Sequence, residues 1–278
     1  MSREGYEQLD EKSKRSWGWY LLALVCLPVF LYVFIILPMA SPEQLHLEPL
    51  KKYIHLKHYD GRLILIGDVH GCYDSLQSLL QKLEYSTTDT VVLLGDFLSK
   101  GPDSLKVMTW ARENSAMAIL GNHEMNILSK YQSFKPLQFD DEDVFILDKH
   151  VDKFDQELQI ARKLTPQDVL YLNSLPLVME IDNIGICSHM GLVGSHSVKK
   201  QDITDMLDID KDWYHSWNKV QKTLPKSDRR VVYYGHHASV GLNLNKYSKG
   251  LDSGCVYGGQ LSAVVIGQGE ESLFQVDC

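Results

Sequence analysis

Five short segments of the 278-residue chain put metal-capable side chains directly after apolar runs. Gly67-Asp68-Val69-His70-Gly71 follows Leu63–Ile66, and Gly95-Asp96 follows Val91–Leu94. Gly121-Asn122-His123-Glu124 follows Ala116–Leu120, Ser188-His189 follows Ile184–Cys187, and Gly235-His236-His237 follows Val231–Tyr234. Two Asp, one Asn and three His offer carboxylate, amide oxygen and imidazole, a donor set for borderline divalent metals. Ca²⁺ is a poor match, because it prefers oxygen alone. Asp68, His70, Asp96, Asn122, His189 and His236 are too many for one catalytic ion with open positions. Two ions with a shared carboxylate fit better. Such a pair, about 3.5–4 Å apart, clamps the attacking and leaving oxygens of an in-line phosphoryl displacement.

Elements that could bring these segments together are legible in the apolar pattern. Leu63–Ile66, Val91–Leu94 and Ala116–Leu120 read as buried strands. Helices are expected over Tyr73–Leu83, Asp103–Arg112 and from Met125 to Tyr131. In the first, Leu76, Leu79, Leu80 and Leu83 share one face. This β-α-β-α-β order implies right-handed crossovers and a parallel sheet. Phe134 to Asn173 is polar and reads as two helical pieces, the second opened by Thr165-Pro166-Gln167-Asp168 as N-cap and first turn. Leu177–Ile181, Ile184–Cys187, Val231–Tyr234, Ala263–Ile266 and Leu273–Val276 read as further strands. Two packed sheets flanked by helices accommodate this order. The metal-capable residues then fall at the strand carboxyl ends, where open α/β sheets bind ligands.

The formal net charge is −8, from 28 Lys+Arg and 36 Asp+Glu. That argues against an unaided non-specific nucleic-acid binder, which needs a basic face. The ordinary apolar content excludes a mainly disordered chain. Five cysteines form no Cys-x-x-Cys pair. Trp19 to Met39 is apolar, and no charge occurs from Trp17 to Pro42. Its ~21 residues, ~31 Å as helix, predict a transmembrane segment. Lys12, Lys14 and Arg15 precede it, so the positive-inside rule puts the N-terminus in the cytosol. The expected organisation is a cytosolic tail at 1–16, a membrane helix acting as signal anchor at 17–40, a linker with one short helix within 41–60, and a catalytic domain at 61–278. Tyr6-Glu7-Gln8-Leu9 in the tail has the form of a sorting-adaptor signal.

These motifs, from Arg62 to the C-terminus, resemble those of the calcineurin-like metallophosphoesterases. The resemblance implies a four-layer α-β-β-α sandwich. It assigns Asp68, His70 and Asp96 to one metal, and Asp96, Asn122, His189 and His236 to the other. It makes His123 the general acid or a transition-state stabiliser, with Asp96 counted among the catalytic residues as the shared carboxylate. The two ions are divalent, Zn²⁺ favoured, with Mn²⁺, Co²⁺, Fe²⁺ and Mg²⁺ admissible. Gly71-Cys72-Tyr73-Asp74-Ser75-Leu76 and Leu251–Gly259 are similar to segments of the ApaH-like group, which accounts for Cys72 and Cys255 without a disulfide. Ser99-Lys100 stands where protein phosphatases of this branch carry Asp-Arg, and Leu120 where they carry a second Arg. The missing Asp removes the partner that orients the catalytic His, and Lys100 is a point charge in place of a bidentate fork.

Lys100 and the inferred topology are similar to the fungal vacuolar endopolyphosphatases of the ApaH-like group. The leading expectation is therefore an endopolyphosphatase, a single-pass type II protein of the vacuole membrane with its catalytic domain lumenal. It would cleave inorganic polyphosphate through a dinuclear metal-activated hydroxide. Lys100 would bind the substrate, with Arg229, Arg230, Lys246 and Lys249 as further candidate cations. The alternative is hydrolysis of diadenosine tetraphosphate or of an RNA cap, the one case in which nucleic acid would be a partner. It would need a base platform, for which Tyr73, Trp213, Trp217 and Tyr257 are candidates. A serine/threonine protein phosphatase and a catalytically silent adaptor rank below these two.

Overall fold

The computed structural model describes residues 24, 26–32, 34, 50–134, 155–194 and 196–278. The chain divides into two compact units, Met1–Leu45 and His46–Cys278. In the first unit, every described residue is helical and exposed.

Among the described residues, no helix is long and apolar enough to cross a membrane. This corrects the expected membrane helix at 17–40. The longest described run there, 26–32, gives ~10 Å of helix, against ~30 Å of hydrocarbon core. The rest of 17–40 lies outside the described residues, as do the 1–16 tail and its Tyr6–Leu9 motif. The signal anchor, the membrane as a partner, the type II topology and the vacuole-membrane location rested on that span and fall with it.

The second unit is the α/β sandwich. Its elements, in chain order, begin with β1 (Lys51–Leu56), β2 (Leu63–Ile66), α1 (Tyr73–Lys82), β3 (Thr90–Leu93), α2 (Ser104–Glu113), β4 (Met117–Ala118) and α3 (Asn122–Phe134). After the described chain resumes come α4 (Gln156–Lys163), α5 (Pro166–Ser174), β5 (Pro176–Ile181), β6 (Gly185–Ser188), α6 (Ile203–Leu207) and α7 (Trp213–Thr223). Last come β7 (Val232–Tyr234), β8 (Asn243–Leu244), β9 (Ser248–Gly250), β10 (Gln260–Gly267) and β11 (Glu270–Asp277). One sheet has the order β1-β5-β6-β7-β9-β8, the other β11-β10-β2-β3-β4.

β2, β3 and β4 are parallel, as the alternation of strands and helices requires. β2 is buried at all four positions, because it lies between neighbours with both faces covered. Leu63, Leu65, Val92, Leu94 and Val264 from one sheet pack with Met179, Ile181, Cys187 and Tyr233 from the other. Helix α1 lies on β10 and β11, and α7 on β9, so helices cover the outer faces. Thr165 and Asp168 form a reciprocal capping box with Pro166 in the first turn of α5, as the sequence signature indicates.

Two local findings differ from the sequence reading. The stretch read as a linker with a short helix contains β1, which pairs in parallel with β5. Tyr53, Ile54 and Leu56 are only half-buried there and the rest of the strand is exposed, so this edge strand carries no alternating apolar pattern to tell it from a linker. Cys255 and Cys278 form a disulfide. β11 pairs antiparallel with β10 to its end, and the Cys278 N–H bonds the Gly259 carbonyl, which brings the terminal thiol to the 251–259 loop.

Candidate metal centre

The strand ends place the six expected ligands in one cluster, with Asp68, His70, Asp96 and His189 buried and Asn122 and His236 half-buried. Asp68 and His70 follow β2, Asp96 follows β3, Asn122 opens α3 after β4, His189 follows β6, and His236 follows β7. His70, Asp96 and His236 all have positive φ, at 45°, 47° and 73°. Such strain in non-glycine residues persists where surrounding contacts over-determine it, and it concentrates at functional sites. Room for the carboxylates comes from two glycines. A Cβ on Gly121 would overlap Asp96 Oδ1, and one on Gly235 would overlap Asp68 Oδ1.

Asp96 is the hub. Its Oδ2 lies 3.2 Å from His189 Nε2, 3.8 Å from His70 Nε2 and 3.8 Å from His123 Nε2. His70, Asp96 and His123 form one group able to hold a metal, and Asp96, His189 and His236 a second. Asp68 Oδ2 is 4.0 Å from His70 Nε2 and accepts the His236 backbone N–H at 3.0 Å. Asn122 Oδ1 is 3.3 Å from His189 Nε2. All six residues, and His123 as well, are therefore brought together.

The hydrogen bonds show why cations suit this centre. His189 Nδ1 donates to the Leu94 carbonyl at 2.8 Å. In the neutral ring, Nε2 then carries a lone pair, which faces Asp96 Oδ2, Asn122 Oδ1 and, at 3.2 Å, His236 Nδ1. His70 repeats the pattern, with Nδ1 3.2 Å from the Leu98 carbonyl and Nε2 turned to the carboxylates. A carbonyl behind the ring and acceptors in front of it is the arrangement that orients a metal-ligating His. The titration behaviour agrees. Burial pushes His70 and His236 down to about 4, so both are neutral donors near pH 7. Burial also opposes charge on His189, but Asp96 and Asp68 override it and raise the ring to about 10. A proton there does the work a metal would do. Burial, with the nearby Asp252 and Asp96, raises the Asp68 carboxyl well above its ordinary value.

Lys100 reaches the centre, its Nζ 3.0 Å from His70 Nε2 and 5.6 Å from the centre of the Tyr257 ring. The other candidate cations are engaged elsewhere. Arg229 bonds the Leu224 and Lys222 carbonyls, Arg230 bonds the Ser227 carbonyl, Lys249 pairs with Glu271, and Lys246 sits over Tyr247. Of the candidate platforms, Trp213 is a packing residue, 6% exposed against Gly191 and Tyr234, and Trp217 donates to the Tyr247 carbonyl. Tyr73 has Lys106 over its ring. Tyr257 is 67% exposed.

Three residues at the centre were not assigned a role from sequence. Glu124 is wholly buried and accepts from the backbone N–H groups of Asp96, Leu98 and Gly121. Asp252 is buried beside Asp68. Glu157, on α4, lies 2.6 Å from His123 Nδ1. Glu124 and Asp252 stand inside motifs visible in the sequence; Glu157 stands in none.

Two metal-capable groups sharing one carboxylate, at the strand ends of a two-sheet α/β sandwich, define a metallophosphoesterase, a hydrolytic enzyme. Residues 61–267 match the calcineurin-like phosphoesterase family, and the chain belongs to it. It is 28% identical to a zinc-dependent endopolyphosphatase of Saccharomyces cerevisiae over 97% of this chain and 100% of that one. It is 47% identical to a symmetrical bis(5'-nucleosyl)-tetraphosphatase of Salmonella typhimurium, over 24% of this chain and 25% of that one. A crystal structure of a candidate diadenosine tetraphosphatase superposes with a TM-score of 0.65 at 25% identity, covering 82% of this chain and 98% of that one.

Proposed function

We propose that this enzyme hydrolyses phosphoanhydride bonds in dinucleoside polyphosphates. Tyr257 carries the substrate assignment. Its exposed ring stands beside Lys100, which itself touches His70 of the metal centre. A base can stack on that ring, worth about 1–3 kcal/mol, while the ammonium meets the phosphates. Inorganic polyphosphate has no base to stack. The likeness to symmetrical tetraphosphatases and to the candidate diadenosine tetraphosphatase structure supports the same substrate. Asp68, His70 and Asp96 would hold one divalent ion, and Asp96, Asn122, His189 and His236 the other. Imidazole and carboxylate donors favour Zn²⁺. Bound there, the ions would lower the pKa of a shared water and clamp the attacking and leaving oxygens. His123 would protonate the leaving oxygen, and Lys100 would hold a phosphate.

Inorganic polyphosphate remains the second substrate reading, favoured by the whole-length likeness to the yeast endopolyphosphatase. One assay panel separates the two. Purified protein is given diadenosine tetraphosphate, long polyphosphate, capped RNA or a phosphopeptide, each with Zn²⁺, Mn²⁺, Co²⁺ or Mg²⁺. Symmetric cleavage of diadenosine tetraphosphate to ADP as the fastest reaction supports the proposal. Shortening of long polyphosphate far faster than any nucleotide is cut replaces it with the second reading.

A further inference from the structure

His123 projects from the first turn of α3, and its backbone N–H donates to Asp96 Oδ1 at 3.1 Å. Its ring is edge-on to His70, with centroids 5.1 Å apart. Nε2 faces Asp96 and the metal-capable cluster. Nδ1 faces away, 2.6 Å from Glu157 Oε1. Glu157 is itself fixed. Lys130 Nζ donates to its Oε2 at 2.7 Å and to Asp155 Oδ1 at 2.6 Å, and Asp155 caps α4 through the Leu158 N–H. Lys130 lies on α3, two turns beyond His123, so α3 and α4 are joined by the acid, the cation and the ring.

We infer that Glu157 is the positioning residue of His123. It accepts the Nδ1 proton, fixes the ring angle and stabilises the imidazolium, whose Nε2–H is thereby presented to the leaving oxygen. The position where related protein phosphatases carry an Asp is Ser99 here, a buried residue without a carboxylate. A carboxylate partner for the ring is thus supplied from a different helix, 34 residues further along the chain. The physical logic is that of any carboxylate–imidazole pair. The acid stays ionised, orients the ring, and stabilises the imidazolium. In the reaction, the P–O bond breaks with its electron pair on the leaving oxygen, which takes the Nε2 proton. Water supplies the hydroxyl that bonds phosphorus, its other proton passes to bulk solvent, and His123 is reprotonated from solvent. Glu157 gains and loses no proton.

This inference rests on the hydrolase reading above, and its test is arranged so that the two fail separately. The full chain is prepared as the parent, Glu157→Gln, His123→Asn and the double variant. With Lys130 holding the amide oxygen, the glutamine N–H₂ donates where the carboxylate accepts, which disfavours the Nδ1 proton and so the imidazolium. Glu157→Gln is expected to lower kcat on diadenosine tetraphosphate roughly 10²–10⁴-fold with metal content and KM unchanged. The double variant is expected to be no slower than His123→Asn alone, since the carboxylate acts only through the ring. In protein labelled with ¹⁵N-histidine, the Nδ1–H signal that His123→Asn removes is expected to disappear or shift in Glu157→Gln. Parent-like kcat in Glu157→Gln, losses that multiply in the double variant, or an unchanged Nδ1 signal would overturn the inference. A parent that cuts no phosphoanhydride overturns the hydrolase reading instead, and the histidine spectrum still decides the role of Glu157.

Discussion

Glu124 holds Asp96 by its backbone. The buried carboxylate accepts the Asp96 N–H at 2.8 Å and binds the Gly121 and Leu98 N–H groups at 3.0 and 2.9 Å. One side chain from α3 therefore joins the loops after β3 and β4 and keeps Asp96 in its positive-φ conformation. Glu124→Gln should turn an amide N–H₂ toward backbone donors that need an acceptor. The expected cost is about 1–3 kcal/mol of stability, read as a lower urea midpoint. Metal affinity should fall with it, because Asp96 would lose its fixed backbone.

Asp96 is common to both metal-capable groups. Asp96→Asn keeps the shape but removes the shared charge. Turnover is expected to be abolished, with fewer than two metal equivalents bound by elemental analysis. Two retained equivalents with full activity would remove Asp96 from the centre.

The site was more legible than its supports, for a physical reason. A metal-capable residue after a buried strand is announced by the apolar run before it, so Asp68, His70, Asp96, Asn122, His189 and His236 could be picked out as strand-end candidates, whereas their division between two ions rests on the family resemblance. Glu157 follows no such rule. It arrives from a helix beyond a long polar segment, and only the packing of α3 against α4 brings it to His123. The disulfide was illegible for the same reason. Its partners are 23 residues apart, and nothing but the β10–β11 register brings them together. The cation candidates misled because basic residues near a motif in sequence, such as Arg229 and Lys249, find local partners first.

Cys255–Cys278 ties the chain end to the loop that carries Asp252 and Tyr257. Cys278→Ser, with no free terminal strap, should lose roughly 2–4 kcal/mol of stability relative to the oxidised parent. Reductant should bring the parent down to the variant, and leave the variant unchanged. Equal midpoints with and without reductant would mean that the bond contributes no stability.

Asp89 gives the fold an acid-sensitive clasp. Arg62 meets it with two side-chain nitrogens, Nε at 3.1 Å and Nη2 at 2.8 Å, and the backbone N–H groups of Arg62 and Ser86 add two further bonds. The Arg62 hydrogen bonds, helped by the Ser86 N–H, hold the carboxyl at about 2, below its ordinary 3.8. A depressed carboxyl stabilises the fold fully above its unfolded value and loses that contribution as pH falls through the folded value. The stability gap between the parent and Asp89→Asn should therefore be widest near neutrality and narrow as pH drops from 3.8 toward about 2. A gap independent of pH across that window would exclude the charge as its source.

Tyr257 and Lys100 divide substrate recognition between a ring and a charge, with 5.6 Å from the ammonium to the ring centre. Each contact can be removed alone. Tyr257→Ala should cost about 1–3 kcal/mol in kcat/KM on diadenosine tetraphosphate, the worth of one stacked base, and almost nothing on polyphosphate. The ring is 67% exposed, so its loss should leave the core intact. Lys100→Ala should slow both substrates, because each presents phosphate to the same ammonium, with both metals still bound. A point charge contacts one oxygen at a time and imposes no end-group geometry, so internal phosphates should be accepted. Steady-state kinetics on the two substrates is the deciding measurement. If Tyr257→Ala weakens both equally, the ring is structural and the nucleotide assignment loses its support. If Lys100→Ala changes neither, the ammonium lies outside the path of the phosphates.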